Sequence, residues 1–265
     1  MRIGIRAHDF GRLSPNDLKT KLDQFGFDGV QLVFSKAFDK PYDDPEVLES
    51  LKDRIMMLGS YFNMVHPDSS VVETGLKQFK GMLDKADQYG VDFVGSETGS
   101  LMGSPWGYVK ENHDDTTFQK VCEVVKELIL HSEQTQSYVT IEGAYNHVVY
   151  SPKRMHQLIE TINHPKLKII VDIYNYLHIN NHQNHVELLK ECLILFKEHI
   201  VIFHLKDYVV IGDQLKQVGL GQGLMDYKTM IPLIMKHCPN GYLIFEGVVG
   251  DDIQSSMDFI KSIIK

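Results

Sequence analysis

The sequence predicts a single-domain α/β fold, a (β/α)₈ TIM barrel over residues 1–265, and three observations carry that expectation. Short β-rich apolar runs alternate with longer stretches of helical periodicity, the pattern of repeated βα units around a parallel sheet. The runs number eight, the count that closes a barrel. With 265 residues and 43% of them hydrophobic, the chain has the usual length of one barrel and enough apolar surface to fill it.

The predicted strands are Arg2–Ala7, Gly29–Val33, Tyr61–Val65, Phe93–Ser96, Tyr138–Glu142, Leu167–Asp172, Val201–His204 and Tyr242–Glu246. Helix punctuation falls between them. Ser14-Pro15-Asn16-Asp17 sets a capping Ser before a Pro at the first helical position, and Ser151-Pro152 repeats the device ahead of an apolar stripe at Leu158, Ile159 and Ile162. Asp44-Pro45-Glu46 opens a helix with Val47, Leu48, Leu51 and Ile55 at helical spacing, and Phe118–Ile129 is amphipathic. Asp251-Asp252 starts the last helix, whose Ile253, Met257 and Ile260 can cover the barrel wall. No linker or composition shift divides the chain. Two connections exceed a minimal crossover: Thr98–Thr117 around Trp106, and Leu205–Met225 with Gly-Leu-Gly-Gln-Gly at 219–223. Both read as ordered loops over the mouth, where barrels of this kind build function.

Charge and cysteine usage exclude several classes. A net charge of −8 opposes a nucleic-acid partner, which requires a concentrated positive surface. The N-terminus lacks a signal-peptide run, and no segment has the apolar length of a membrane span. Cys122, Cys192 and Cys238 are scattered and form no CxxC pair, so neither a disulfide framework nor a cysteine zinc site is expected. The expected location is cytoplasmic.

The residues closing the strands are more informative: His8, Gln31, His66, Glu97, Glu142, Asp172, His204 and Glu246. All are polar, while the strand interiors are mostly Ile, Val, Leu, Phe and Tyr. Parallel strands deliver their C-terminal ends to one face, so these side chains converge there. Packed carboxylates and imidazoles repel unless a cation neutralises them. Any one alone would be an ordinary residue where a strand meets solvent. Glu142, Asp172, His204 and Glu246 close four successive strands, each after an apolar run. An oxygen-rich set with one nitrogen suits Mn²⁺ as the leading expectation, with Mg²⁺, Co²⁺ or octahedral Zn²⁺ open.

With these residues in place, the chain resembles the xylose-isomerase-like barrel superfamily, the sugar phosphate isomerase/epimerase group. That group includes ketose 3-epimerases, inosose dehydratase and apurinic-site endonucleases. The resemblance runs from Gly4-Ile5-Arg6-Ala7-His8-Asp9 and Phe27-Asp28-Gly29-Val30-Gln31 through Gly95-Ser96-Glu97-Thr98-Gly99, Ile141-Glu142-Gly143 and Val171-Asp172-Ile173-Tyr174-Asn175. It closes with His204-Leu205-Lys206-Asp207, Gly219–Gly223 and Phe245-Glu246-Gly247. It implies a metal site at Glu142, Asp172, His204 and Glu246. It further implies proton exchange by Glu142 and Glu246 on opposite faces of a carbon beside a carbonyl, through an enediolate that a divalent cation stabilises. Substrate contacts are then expected at His8, His66, Glu97, Asn175, Lys206 and Trp106.

Departures narrow the choice. Ketose 3-epimerases commonly carry an Arg about six residues after the metal-binding His, and here Val210 occupies that position. His-Leu-Lys-Asp looks more like the dehydratase and uncharacterised isomerase branches. The endonuclease branch needs further His ligands and a basic surface, which this sequence lacks. His178, His182 and His185 have the spacing of a zinc site, but their Asn-rich surroundings read as a loop or helix start. The leading expectation is a metal-dependent isomerase or epimerase of a small sugar-like carbonyl compound. A lyase eliminating water from an inosose-like ketone stands second, and a non-catalytic sugar-binding barrel third. Relatives often pair, which leaves a homodimer open.

Overall fold

The computed structural model describes residues 1–265, and the helix starts follow from local chemistry. The Ser14 hydroxyl accepts the Asp17 N–H at 3.1 Å ahead of α1 (Pro15–Phe25), which ends on left-handed Gly26. Ser151 does the same for Arg154 at 3.2 Å ahead of α6 (Pro152–Ile162). Between these starts, eight parallel strands form a closed barrel. They are β1 (Ile3–Arg6), β2 (Gly29–Leu32), β3 (Ile55–Gly59), β4 (Phe93–Glu97), β5 (Tyr138–Glu142), β6 (Leu167–Asp172), β7 (Ile200–Leu205) and β10 (Tyr242–Phe245). An additional pair, β8 (Asp207–Ile211) and β9 (Gln214–Val218), forms a separate two-stranded antiparallel sheet.

Seven strands fall where the apolar runs placed them, and the third does not. It is Ile55–Gly59, with all five residues buried, rather than Tyr61–Val65. The preceding helix, α3 (Asp44–Leu51), stops before Ile55. Ile55-Met56-Met57-Leu58 is continuously apolar because a parallel strand is covered on both faces, so it lacks strand alternation. Methionine is also a good helix former, and Ile55 matched the helical period of Val47 and Leu51.

Contacts group the barrel residues into two compact units. In the unit of Met1–Met56 with Asp172–Lys265, β1 pairs with β2 and β10, and β10 pairs with β7. Its core holds Ile5, Leu18, Leu22, Val30, Ile244, Phe245 and Ile260, all buried. The connection expected as a loop over Leu205–Met225 is instead the β8–β9 hairpin followed by a glycine-rich turn. Fully buried Asp207 organises that turn. One carboxylate oxygen accepts the N–H groups of Gly221 (2.9 Å) and Gly223 (3.0 Å), and the other those of Tyr208 (2.8 Å) and Met225 (2.9 Å). A Cβ at Gly223 would collide with this carboxylate, which explains the glycine.

In the unit Met57–Val171, β3, β4, β5 and β6 pair in sequence order. The long connection after β4 is ordered by two buried asparagines. Asn63 donates to the carbonyls of Ser100 (2.7 Å) and Gly103 (3.1 Å) and accepts the N–H of Ser100 (3.0 Å). Asn112 accepts the N–H of Leu101 (2.9 Å) and donates to the Asn146 carbonyl (2.7 Å). No helix of the protein is long and apolar enough to cross a membrane.

Replacing Asp207 with Ala leaves four N–H donors, those of Tyr208 and Met225 buried, without their acceptor. Asp207→Ala is expected to lower the unfolding free energy by about 3 kcal/mol, measured by urea denaturation. A loss below about 1 kcal/mol would mean the turn does not depend on this carboxylate.

Candidate metal centre

Four strands each bring one donor to their C-terminal end. Glu142 closes β5 and Asp172 closes β6, His204 is the penultimate residue of β7, and Glu246 immediately follows β10. All four side chains are buried. One ligand atom from each lies within 4.8 Å of all the others. Three carboxylates and an imidazole held this closely are a candidate site for a cation.

The orientation of the donors bears on whether they fit one. His204 Nε2 lies 2.7 Å from Gln31 Oε1. An amide oxygen only accepts, so Nε2 carries a proton, and Nδ1 is the nitrogen turned towards the carboxylates. Nδ1 sits 2.7 Å from Glu246 Oε2 and 4.0 Å from Asp172 Oδ2. Glu246 Oε2 is buried without a hydrogen bond despite that short approach. A cation placed between them would satisfy both atoms. The residues present fit a divalent cation.

The other oxygen of Glu246 is held differently. Oε1 receives Lys206 Nζ at 2.6 Å and Arg6 Nη1 at 2.7 Å. Burial pushes the Glu246 carboxyl up, but the Lys206 ammonium, the His204 imidazole and the Arg6 guanidinium outweigh it and hold it well below the usual carboxylate range. Lys206 also reaches Asp172 Oδ2 at 2.9 Å and Asn175 Oδ1 at 3.0 Å. The nearest sequence partner for Lys206 was Asp207, yet Asp207 is engaged by backbone N–H groups instead. Arg6 is fixed by a two-pronged contact with Asp9 at 2.9 and 3.2 Å. Asp9 in turn accepts the Gly247 N–H at 2.7 Å. The hairpin contributes as well: the Gln217 amide donates to the Glu246 backbone carbonyl, and the Tyr174 hydroxyl to that of Leu215 at 3.2 Å.

The expected substrate-contacting residues separate into groups. Asn175 adjoins the donors, its backbone N–H donating to Asp172 Oδ1 at 3.1 Å. Glu97 is the register partner of Glu142 across β4 and β5. His8 sits in a short 3-10 turn directly after β1, and burial, then Arg6, lowers its pKa. His66 does not close a strand, because β3 ends at Gly59. It stands in the following loop, where its Nδ1 accepts the Asp68 N–H at 3.1 Å. Trp106 packs edge-on against His147, with ring centroids 5.7 Å apart. Burial pushes the His147 imidazole down to about 4, only partly offset by the Glu142 charge and a backbone hydrogen bond with Trp106. His178, His182 and His185 do not assemble a metal site. His178 Nδ1 accepts the Asn180 N–H at 3.3 Å, His182 Nδ1 faces the Tyr208 hydroxyl at 3.3 Å, and His185 Nε2 accepts the Asp226 N–H at 3.1 Å.

Sequence reasoning gave Arg6, Asp9 and His147 no role. Arg6 and Asp9 lie within the first motif, but only folding brings them to Glu246. Gln31 stood out as polar in a buried strand, and its partner His204 is 173 residues away.

The model of the xylose isomerase-like TIM barrel family matches residues 20–263. The chain belongs to that family. Among curated proteins no sequence matches it. Several solved members share its fold. A xylose isomerase-like TIM barrel protein from Mycobacterium smegmatis in complex with magnesium has 16% identity and a TM-score of 0.75, covering 100% of this chain and 96% of that one. The probable 3-DHS dehydratase AsbF of Bacillus anthracis has 15% identity and a TM-score of 0.78, covering 98% and 99%. D-psicose 3-epimerase with D-tagatose from Clostridium cellulolyticum H10 has 15% identity and a TM-score of 0.72, covering 100% of both chains. At such identities the likeness establishes the fold.

Gln31 fixes which His204 nitrogen faces the carboxylates. Gln31→Leu is expected to weaken Mn²⁺ binding by about 10- to 100-fold, read by isothermal titration calorimetry. Unchanged affinity would remove the orienting role.

Proposed function

We propose that this family member is a divalent-metal-dependent isomerase or epimerase acting on a small polyhydroxylated carbonyl compound. The observation that carries the reading is the buried convergence of Glu142, Asp172, His204 and Glu246. These residues would hold the ion, with Mn²⁺ suited to three oxygen-donor side chains and one nitrogen-donor side chain. A bound divalent ion supplies positive charge that stabilises an enediolate oxygen.

The protein side of the chemistry falls to named groups. Glu142 takes the proton from the carbon beside the carbonyl, and Glu246 exchanges one on the opposite face. The two are unequal. Lys206 and Arg6 on Glu246 Oε1 stabilise its anion, so it binds a proton weakly; the first abstraction falls to Glu142. Asn175 steadies Asp172 and Lys206. His8 and Glu97 meet substrate hydroxyls, and Trp106 walls the pocket.

A second reading, elimination of water by a lyase, draws on Lys206. An ammonium held between Asp172 and Glu246 is a proton donor for a leaving hydroxyl, and elimination begins with the same deprotonation. Incubating the Mn²⁺-loaded protein in D₂O with a panel of ketoses and inososes tests both. Isomerase or epimerase chemistry incorporates deuterium into a rearranged product of unchanged formula, whereas a lyase releases a product lighter by one water. Glu142→Gln is expected to slow either by about 10²- to 10⁴-fold. Absence of exchange into every compound would leave a sugar-binding barrel without catalysis.

A further inference from the structure

A second recess lies within the Met57–Val171 unit, apart from the four donors. It has a volume of about 380 Å³, within the range of small-molecule sites. The loop after β3, the first turns of α4 (Ser69–Tyr89) and the loop after β4 enclose it. Tyr61, Phe62 and Trp106 give it aromatic surface, and His66, Thr74 and Ser104 give it polar groups. No Asp, Glu, Lys or Arg lines it. Aromatic faces with neutral hydrogen-bonding groups suit the C–H faces and hydroxyls of an uncharged sugar ring. The absence of cationic side chains disfavours a phosphate.

The walls are held in place. Asn63, between Phe62 and the loop carrying Trp106, ties that loop through Ser100 and Gly103. Gly103 takes a left-handed φ of 87°, which favours glycine there, and its Cα faces His66. Gly75 lies so close to the Phe62 ring that a Cβ would overlap it. The recess is therefore preformed.

An independent observation links it to the reacting end. Trp106 packs on His147. His147 is 6% exposed and its Nδ1 has no hydrogen-bond partner. His147 lies in the loop directly after β5, which ends at Glu142. Trp106 thus touches the loop that follows β5, the strand closed by Glu142, within one unit. We infer that the recess is a subsite for the distal, uncharged sugar ring of a glycoside whose reacting ring lies at Glu142, an inference that rests on the function proposed above.

Trp106 is the single tryptophan of the chain, so its emission reports directly on this recess. The protein is titrated with cellobiose, maltose, lactose and trehalose, both loaded with Mn²⁺ and after chelation. At least one disaccharide is expected to give a saturable emission change that survives chelation. Val71 is 40% exposed on α4 and borders the recess. Val71→Phe fills the space from the surface, and should weaken binding by about tenfold or more. Absence of a saturable response to every disaccharide overturns the subsite, and so does a response that Val71→Phe leaves unchanged. Because the readout needs neither metal nor turnover, failure of the subsite is distinguishable from failure of the proposed reaction.

Discussion

Burial of like charges is the constraint around which this barrel is organised. Two unit charges 4 Å apart interact by about 4 kcal/mol at an effective dielectric of 20, and Glu142, Asp172 and Glu246 offer oxygens within 4.8 Å of one another. Such a cluster persists only if the fold enforces it and cations offset it. The chain supplies part of the offset. Lys206 bridges Asp172 and Glu246, while the charge of Arg6 is shared with Asp9. Counting Arg6 and Asp9 as cancelling, the three carboxylates retain two negative charges beyond Lys206. That residual charge matches a divalent ion, and it is reached from the protein's own groups without reference to any relative.

The barrel provides the enforcement. Each donor stands at or beside the end of a strand whose body is anchored by buried apolar residues, so the charged tips cannot retreat separately. The supporting contacts extend this rigidity outward. Gln31 turns His204, Asn175 meets Asp172, and Asp9 both grips Arg6 and takes the Gly247 N–H. The hairpin reaches the backbone of Glu246 through Gln217. A residue that spans from an apolar wall to a charged centre in this way sets ligand orientation more than net stability.

How much of this was legible in the sequence depended on whether the signal was local. Strands such as Leu167–Asp172 and Tyr138–Glu142 announced themselves as apolar runs with a carboxylate at the end, and the four donors emerged from them. The Ser14 and Ser151 caps were equally local. The third strand was hidden because Met56 and Met57 sit comfortably in either helix or strand, and its displacement moved His66 from a strand end to a loop. The β8–β9 hairpin was missed because the glycines of 219–223 dominated the reading of that connection. Arg6, Asp9 and His147 carry no sequence pattern of their own. Their significance is purely spatial: Arg6 lies 240 positions from the Glu246 oxygen it binds.

The division of Glu246 into two differently held oxygens bears on the chemistry more than the ligand count does. Oε1 is claimed by two cations, and Oε2 faces His204 Nδ1. A carboxylate so placed is a strong ligand and a reluctant base, because taking a proton would sacrifice contacts already made. Symmetric proton exchange between two equivalent carboxylates is therefore not favoured by this arrangement. Deprotonation from the Glu142 side, with the ammonium of Lys206 available on the other, makes the two faces of the reacting carbon chemically distinct. In the proposed reaction this arrangement would favour breaking the C–H bond on one face. Whether a proton then returns or a hydroxyl departs turns on the atom that the substrate presents to Lys206.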